Sequence, residues 1–303
     1  MKDKINQVLK ETNQIWLGKE EKVKMALLSF LCGGHLLIED IPGVGKTTLA
    51  KSLGLLMGVD FSRIQFTNDL LPGDILGTHI FNKEKEEFIF KKGPLFSNFV
   101  LVDELNRATP KTQSALLEAM EEEKITVEGK GFDLEFPFVV MATQNPFGQI
   151  GTFPLPESQR DRFFMSLSLG LPDREVEKKI LTMGPVKQSL ERLRPILTKS
   201  LLKDIREDIF SLDVSEALVK YVLDFIEFIR SRKENPLPIS PRCGQDLLLA
   251  SKGYAFMEGR SFVIPEDVQS VAPHVVGHRL FSHQNIEKAQ ATLKEMIPHV
   301  AIP

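Results

Sequence analysis

Leu36-Leu37-Ile38-Glu39-Asp40-Ile41-Pro42-Gly43-Val44-Gly45-Lys46-Thr47-Thr48 runs from an apolar segment through a Pro/Gly loop into a helical pattern. The first three residues have strand character, the loop spans Ile41 to Gly45, and the helical segment extends from Lys46 to Leu56. The spacing matches the phosphate-loop pattern Gly-x-x-x-x-Gly-Lys-Ser/Thr, with Asp40 where the first glycine would stand. Glycines let successive backbone N–H groups turn inward around phosphate oxygens, and the following helix adds its positive end. Pro42, Gly43, Val44, Gly45, Lys46, Thr47 and Thr48 are therefore expected to cradle ATP. Lys46 would reach the outer phosphates and the Thr47 hydroxyl would hold Mg²⁺. A carboxylate facing such a loop would repel phosphate, so Asp40 is expected to turn its side chain away.

Working outward, further apolar runs occur at Arg63 to Phe66, Phe99 to Val102, Phe138 to Ala142 and Phe164 to Leu169. The last three are nearly continuous in apolar character, as strands covered on both faces are, so the pattern predicts a parallel sheet between helices. Phe99-Val100-Leu101-Val102 ends in Asp103-Glu104. Downstream of a phosphate loop, an acidic pair at a strand end suits Mg²⁺ held by Asp103 and a water polarised by Glu104. Two β-hairpins are expected. One joins His79–Asn82 to Phe88–Phe90 across the charged run Lys83 to Glu87; the other joins Ile125–Val127 to Phe132–Phe136 across Glu128-Gly129-Lys130-Gly131. Upstream, Ile5 to Leu31 reads as one helical stretch, and from Pro172 onward the pattern is helical again.

The chain has 303 residues, room for two domains at roughly 150 residues each. With 42% hydrophobic and 26% charged residues, disordered and collagen-like classes are excluded. Lys plus Arg number 38 against 41 Asp plus Glu, a net charge of −3, which counts against a dedicated nucleic-acid binder. The longest apolar stretch, Met25 to Ile38, is interrupted by Ser29, Gly33, Gly34 and His35, and falls short of the roughly 20 residues that span a bilayer. Cys32 and Cys243 lack metal-ligand spacing and suit a reducing compartment, so a cytoplasmic protein is expected. His274 and His278 stand one helical turn apart with no third ligand nearby in sequence, which favours a structural role.

Several strings together resemble the MoxR family of AAA+ ATPases. They are Asp103-Glu104-Leu105-Asn106-Arg107-Ala108 with Pro110 to Met120, Ala142-Thr143-Gln144-Asn145-Pro146, Pro154-Leu155-Pro156-Glu157-Ser158-Gln159, and Ser240-Pro241-Arg242 with Pro265-Glu266-Asp267-Val268. The resemblance implies an α/β P-loop NTPase (AAA+) fold: an αβα core with a parallel sheet over residues 1–171, carrying both hairpins as inserts, then an all-α lid over 172–303. It implies that Asn145 stands near the γ-phosphate as sensor one and that Arg242 is the sensor-two arginine of the lid. It further implies that Arg162 is the arginine finger reaching a neighbouring subunit. Arg160 stands where the family has an aliphatic residue, so it is a second candidate for the finger. Asp40 at the loop start also occurs in MoxR-type sequences. By the same resemblance, the protein is an ATPase assembling into a homo-oligomeric ring, often a hexamer. Its ATP would sit between core and lid, and its chaperone-like work would be on client proteins, often ones with von Willebrand factor A domains. The alternatives are a nucleic-acid motor, a metal-chelatase motor subunit, or a binding switch that hydrolyses negligibly.

Overall fold

The computed structural model describes residues 1–145, 151–182, 186–232, 239–280 and 285–302; Pro146 lies outside them. The N-terminal stretch is two helices rather than one, α1 (Lys2–Ile15) and α2 (Glu20–Leu31). Between them Gly18 has φ +82°, and a Cβ there would stand 2.5 Å from the Val176 side chain, so the chain turns where a side chain does not fit.

Next come β1 (Leu36–Glu39), α3 (Lys46–Met57), β2 (Phe61–Gln65) and the short α4 (Pro72–Leu76). The first hairpin is β3 (Gly77–Asn82) with β4 (Glu87–Lys92). Then β5 (Phe99–Asp103) leads to α5 (Pro110–Glu122), and the second hairpin is β6 (Lys124–Val127) with β7 (Lys130–Asp133). The core closes with β8 (Val139–Gln144), α6 (Glu157–Arg160) and β9 (Met165–Leu167).

The main sheet has the order β2-β5-β8-β1-β9 and is parallel throughout. Strand alternation sends residues to two separate cores. Leu36, Ile38, Phe99, Leu101 and Met141 enter one; Leu37, Val100, Val102, Val140 and Ala142 enter the other. A sheet covered on both faces explains why these strands read as unbroken apolar runs.

The second hairpin returns two residues earlier than expected. Val127 pairs with Lys130, so the turn is Glu128-Gly129 alone, with φ +50° and +79°. Two consecutive left-handed residues close a two-residue hairpin whose twist matches its strands. The two hairpins pack together through the stacked rings of Phe90 and Phe132, whose centroids are 4.4 Å apart.

The C-terminal part is helical: α7 (Arg174–Thr182), α8 (Val186–Arg192), α9 (Lys199–Ser211), α10 (Glu216–Arg230), α11 (Pro241–Glu258), α12 (Pro265–Leu280) and α13 (Ile286–Met296). Thr198, Ser215, Ser240 and Asn285 cap α9, α10, α11 and α13 with side-chain oxygens, satisfying N–H groups that a first turn leaves open. Leu247, Ala250, Val275 and Val276 carry the first core on into this part. His274 and His278 fasten α12 to the sheet edge: His278 Nε2 stands 2.8 Å from the Phe163 carbonyl and His274 Nδ1 3.3 Å from that of Ser166. Among the described residues no helix is long and apolar enough to cross a membrane.

Candidate functional site

The phosphate loop joins β1 to α3, so it sits at the carboxyl end of a central strand, where open parallel sheets place their ligands. Gly45 caps α3 with φ +89° and no side chain caps the first turn, so that turn's N–H groups stay open to an anion. Gly43, at φ +90°, has nothing within 4 Å of where a Cβ would stand. Lys46 folds back over the loop, its Nζ donating to the Asp40 and Ile41 carbonyls at 2.9 and 3.0 Å. Asp40 does turn away, and its Oδ2 accepts from the Leu169 and Gly170 amides at the end of the neighbouring strand. Its backbone does not need glycine: among the described residues, the non-glycines with positive φ are Glu86, Glu104, Glu123 and Glu128.

Facing the loop, Asp103 ends β5, and Asn145 follows the end of β8. Together with Pro42, Gly43, Lys46, Thr47 and Glu104 they line one cleft of about 150 Å³. An uncapped helix start, a lysine, a hydroxyl and a carboxylate fit a polyphosphate with a divalent cation. The sequence reading missed the residues that hold the two acids. Arg63 Nε pairs with Asp103 Oδ2 at 2.6 Å, and Thr143 Oγ1 donates to Oδ1 at 3.3 Å. Glu104 has φ +58°, an uncommon conformation for a non-glycine residue, of the kind that collects at functional sites. Its Oε2 accepts from Gln65 Nε2 at 2.9 Å and pairs with Arg107 Nε at 3.0 Å, and Asn145 Nδ2 reaches Oε1 at 3.5 Å. The signal was present: Arg63 and Gln65 stand two apart on a strand, which puts both on one face.

Behind the loop lies a second cavity of about 360 Å³, lined mostly by apolar groups of Ile15, Trp16, Leu17, Val44, Leu171, Ile180 and Leu181, with Thr48 at its edge. It is shaped by the break between α1 and α2 and by α7. Three chain segments far apart in sequence build it, and no single segment carries a motif for it.

The arginines divide. Arg160 is 5% exposed, and burial lowers its pKa against the pull of Glu39. A buried guanidinium cannot reach a neighbour, so Arg160 does not suit the finger. Arg162 is partly exposed; its Nη1 donates to the Leu117 carbonyl at 3.0 Å and pairs with Glu121 on α5. Arg242, on α11, points to the same acid, its Nη1 3.5 Å from Glu121 Oε1. Neither Arg162 nor Arg242 is among the residues lining the cleft of the chain's own phosphate loop.

Comparison with known proteins agrees with this architecture. Residues 35–165 match the model of the ATPase family associated with various cellular activities (AAA), and residues 229–299 match the AAA lid domain. The chain is 40% identical to chaperone MoxR1 of Mycobacterium tuberculosis, over 89% of this chain and 74% of that one. It is 38% identical to the uncharacterized protein YeaC of Bacillus subtilis, over 99% of this chain and 95% of that one. A crystal structure from Cytophaga hutchinsonii superposes with a TM-score of 0.87 at 36% identity, covering 99% of this chain and 94% of the other. With a phosphate loop, an acidic strand end, a five-stranded parallel core and a helical lid in place, the chain belongs to the MoxR family of AAA+ ATPases.

Proposed function

We propose that the protein hydrolyses ATP at the cleft between α3 and the ends of β5 and β8, within a homo-oligomeric ring, and uses the cycle to remodel client proteins. Residues 1–171 are its ATPase core and 172–303 its lid. The observation that carries this reading is the convergence of Lys46, Thr47, Asp103, Glu104 and Asn145 on one cleft from three separate segments. The triphosphate lies along the open amides of the loop and the start of α3, with Lys46 released from the Asp40 and Ile41 carbonyls to the outer phosphates. The base enters the apolar cavity beside Trp16. Thr47 and Asp103 would hold Mg²⁺, which supplies charge neutralisation at the phosphate oxygens. Glu104 takes a proton from a water as the water oxygen bonds to the γ-phosphorus and the bond to the bridging oxygen breaks, leaving ADP and phosphate. Asn145 orients that water.

Arg162 and Arg242 serve the site of the adjacent subunit, since they lie together and away from their own loop. A finger of this kind is worth about 10³–10⁵ in rate in well-studied nucleotide hydrolases. The remodelling role follows the chaperone named among the relatives, and clients with von Willebrand factor A domains are proposed only on the resemblance of the sequence to the family. The hairpin side chains Phe81 and Phe88, 52% and 70% exposed, are the surface offered to a client.

The test uses two variants. Glu104→Gln binds ATP and does not turn it over; Arg162→Ala binds ATP and hydrolyses it about 10³-fold or more slowly. Mixed rings of the two regain activity, because one interface joins the intact Glu104 of one subunit to the intact Arg162 of the next. Turnover by Glu104→Gln near the parent rate would place the base elsewhere. Mixed rings without recovery would end the trans assignment.

A further inference from the structure

Two arginines from different parts of the fold share one carboxylate. Arg162 follows α6 of the core and Arg242 opens α11 of the lid, yet they take separate oxygens of Glu121, Arg162 on Oε2 and Arg242 on Oε1. Arg162 Nη1 stands between Glu121 and the Leu117 carbonyl one helical turn earlier on α5. α11 is fixed beside Arg162 through Asp161. Ser240, the cap of α11, donates to Asp161 Oδ2 at 3.0 Å, and Arg279 ties the Asp161 carbonyl to the Asp246 carboxylate of α11. Lid and core therefore meet at the arginine pair, with Glu121 between them.

We propose that Glu121 is the positioning residue for both arginines: its carboxylate anchors each guanidinium by one nitrogen and presents the remaining donors toward the γ-phosphate of the neighbouring subunit. A guanidinium has five donors in a rigid fork, so one edge can be held while another binds phosphate. An arginine already anchored has lost its rotamer freedom before the phosphate arrives, so less is lost on engagement. The proposal rests on the trans role of Arg162 given above.

Glu121→Gln keeps the shape and removes the charge. Expected are an unchanged ATP affinity and melting temperature, and a kcat lower by about tenfold to a hundredfold, the scale of a small misplacement of a reacting group. Glu118→Gln, at an acid that lines a surface pocket together with Glu121 and Arg162 but for which no ion pair to either arginine is seen among the described residues, is the control and keeps the parent kcat. Because the arginines act on the neighbour, mixed rings of Glu121→Gln with Glu104→Gln should turn over faster than the mean of the two pure rings. Recovery in the Arg162→Ala/Glu104→Gln mixture but none with Glu121→Gln would show that Glu121 acts on its own site and would overturn this proposal alone. Recovery in neither mixture would overturn the trans reading and this proposal with it. A Glu121→Gln enzyme as fast as the parent, or faster, would mean that the carboxylate only competes with phosphate. Weakened ATP binding, or an equal loss in Glu118→Gln, would reduce it to a structural or bulk-charge role.

Discussion

Gly45→Ala perturbs the joint between the phosphate loop and the apolar cavity behind it. Gly45 sits at φ +89°, where a residue with a Cβ is strained by about 1–2 kcal/mol. Its Cβ would also stand 2.6 Å from Trp16 Nε1, well inside van der Waals contact, and the Trp16 ring is buried. Forcing an extra methyl into a packed site costs about 1–3 kcal/mol, so the whole perturbation is about 2–5 kcal/mol. Gly43→Ala is the matched control. It has φ +90° and nothing within 4 Å of the new Cβ, so it bears the strain of about 1–2 kcal/mol alone. At an unfolding entropy of about 2 cal/mol/K per residue, the two variants should lower Tm by about 3–8 °C and 2–3 °C respectively. Trp16 is the single tryptophan of the chain, so its emission reads the displaced ring directly. Unfolding followed by far-UV dichroism and by this emission measures both effects. Equal Tm losses in the two variants, or an unaltered Trp16 spectrum in Gly45→Ala, would refute the contact.

Two further outcomes follow from the geometry. Lys46→Ala removes a charged donor to phosphate, worth about 1.5–3 kcal/mol, so calorimetric titration should show ATP binding weaker by about tenfold to a hundredfold; an unchanged affinity would reject the loop assignment. Burial lowers the pKa of His35 to about 4 and of His274 to about 3, and His278 lies well below its ordinary value for the same reason. Each folded value lies below the unfolded one of about 6.5, so the unfolded chain takes up more protons on acidification. The stability they contribute is whole above about pH 6.5 and is lost as pH falls toward 4 and 3, so Tm should drop steadily from about pH 6.5 to 4.5; a flat Tm over that window would contradict their neutral burial.

Linear patterns in the sequence were legible, and spatial assemblies were not. The strands β5 and β8 declared themselves because both faces are buried and no polar residue breaks the runs Phe99 to Val102 and Phe138 to Ala142. The loop at Pro42 to Thr47 declared itself because phosphate chemistry demands glycines and a lysine at fixed spacing. The break at Gly18 was hidden, since the apolar spacing of α1 and α2 nearly continues across it; the turn is set by the contact with Val176, far along the chain. The cavity beside Trp16 was hidden for the same reason. Arg63, Gln65 and Arg107 could have been found from their place next to the acidic pair, in strand register or one turn downstream. Glu121 could not, because its role depends on a lid helix that returns to the core some hundred residues later.

The position of that acid also bears on how the subunits meet. Glu104 precedes α5, and Gln113 Nε2 in the first turn of that helix donates to the carbonyl of the next residue, Leu105, at 3.2 Å. Arg162 and Arg242 lie at the end of the same helix, on Glu121. From Gln113 to Glu121 the axis advances about 12 Å, so the acidic pair and the two arginines stand toward opposite ends of α5 in one chain. A two-fold contact would pair like with like, loop against loop or arginine against arginine, if either surface met its own copy. A head-to-tail contact sets the start of α5 in one subunit against the end of α5 in the next, and every loop then receives a pair of arginines from its neighbour. Such heterologous contacts close into rings or run on as filaments. On the trans reading proposed above, closure alone leaves no subunit without a donor, and each hydrolysis would depend on where the neighbour's lid and core hold their shared carboxylate.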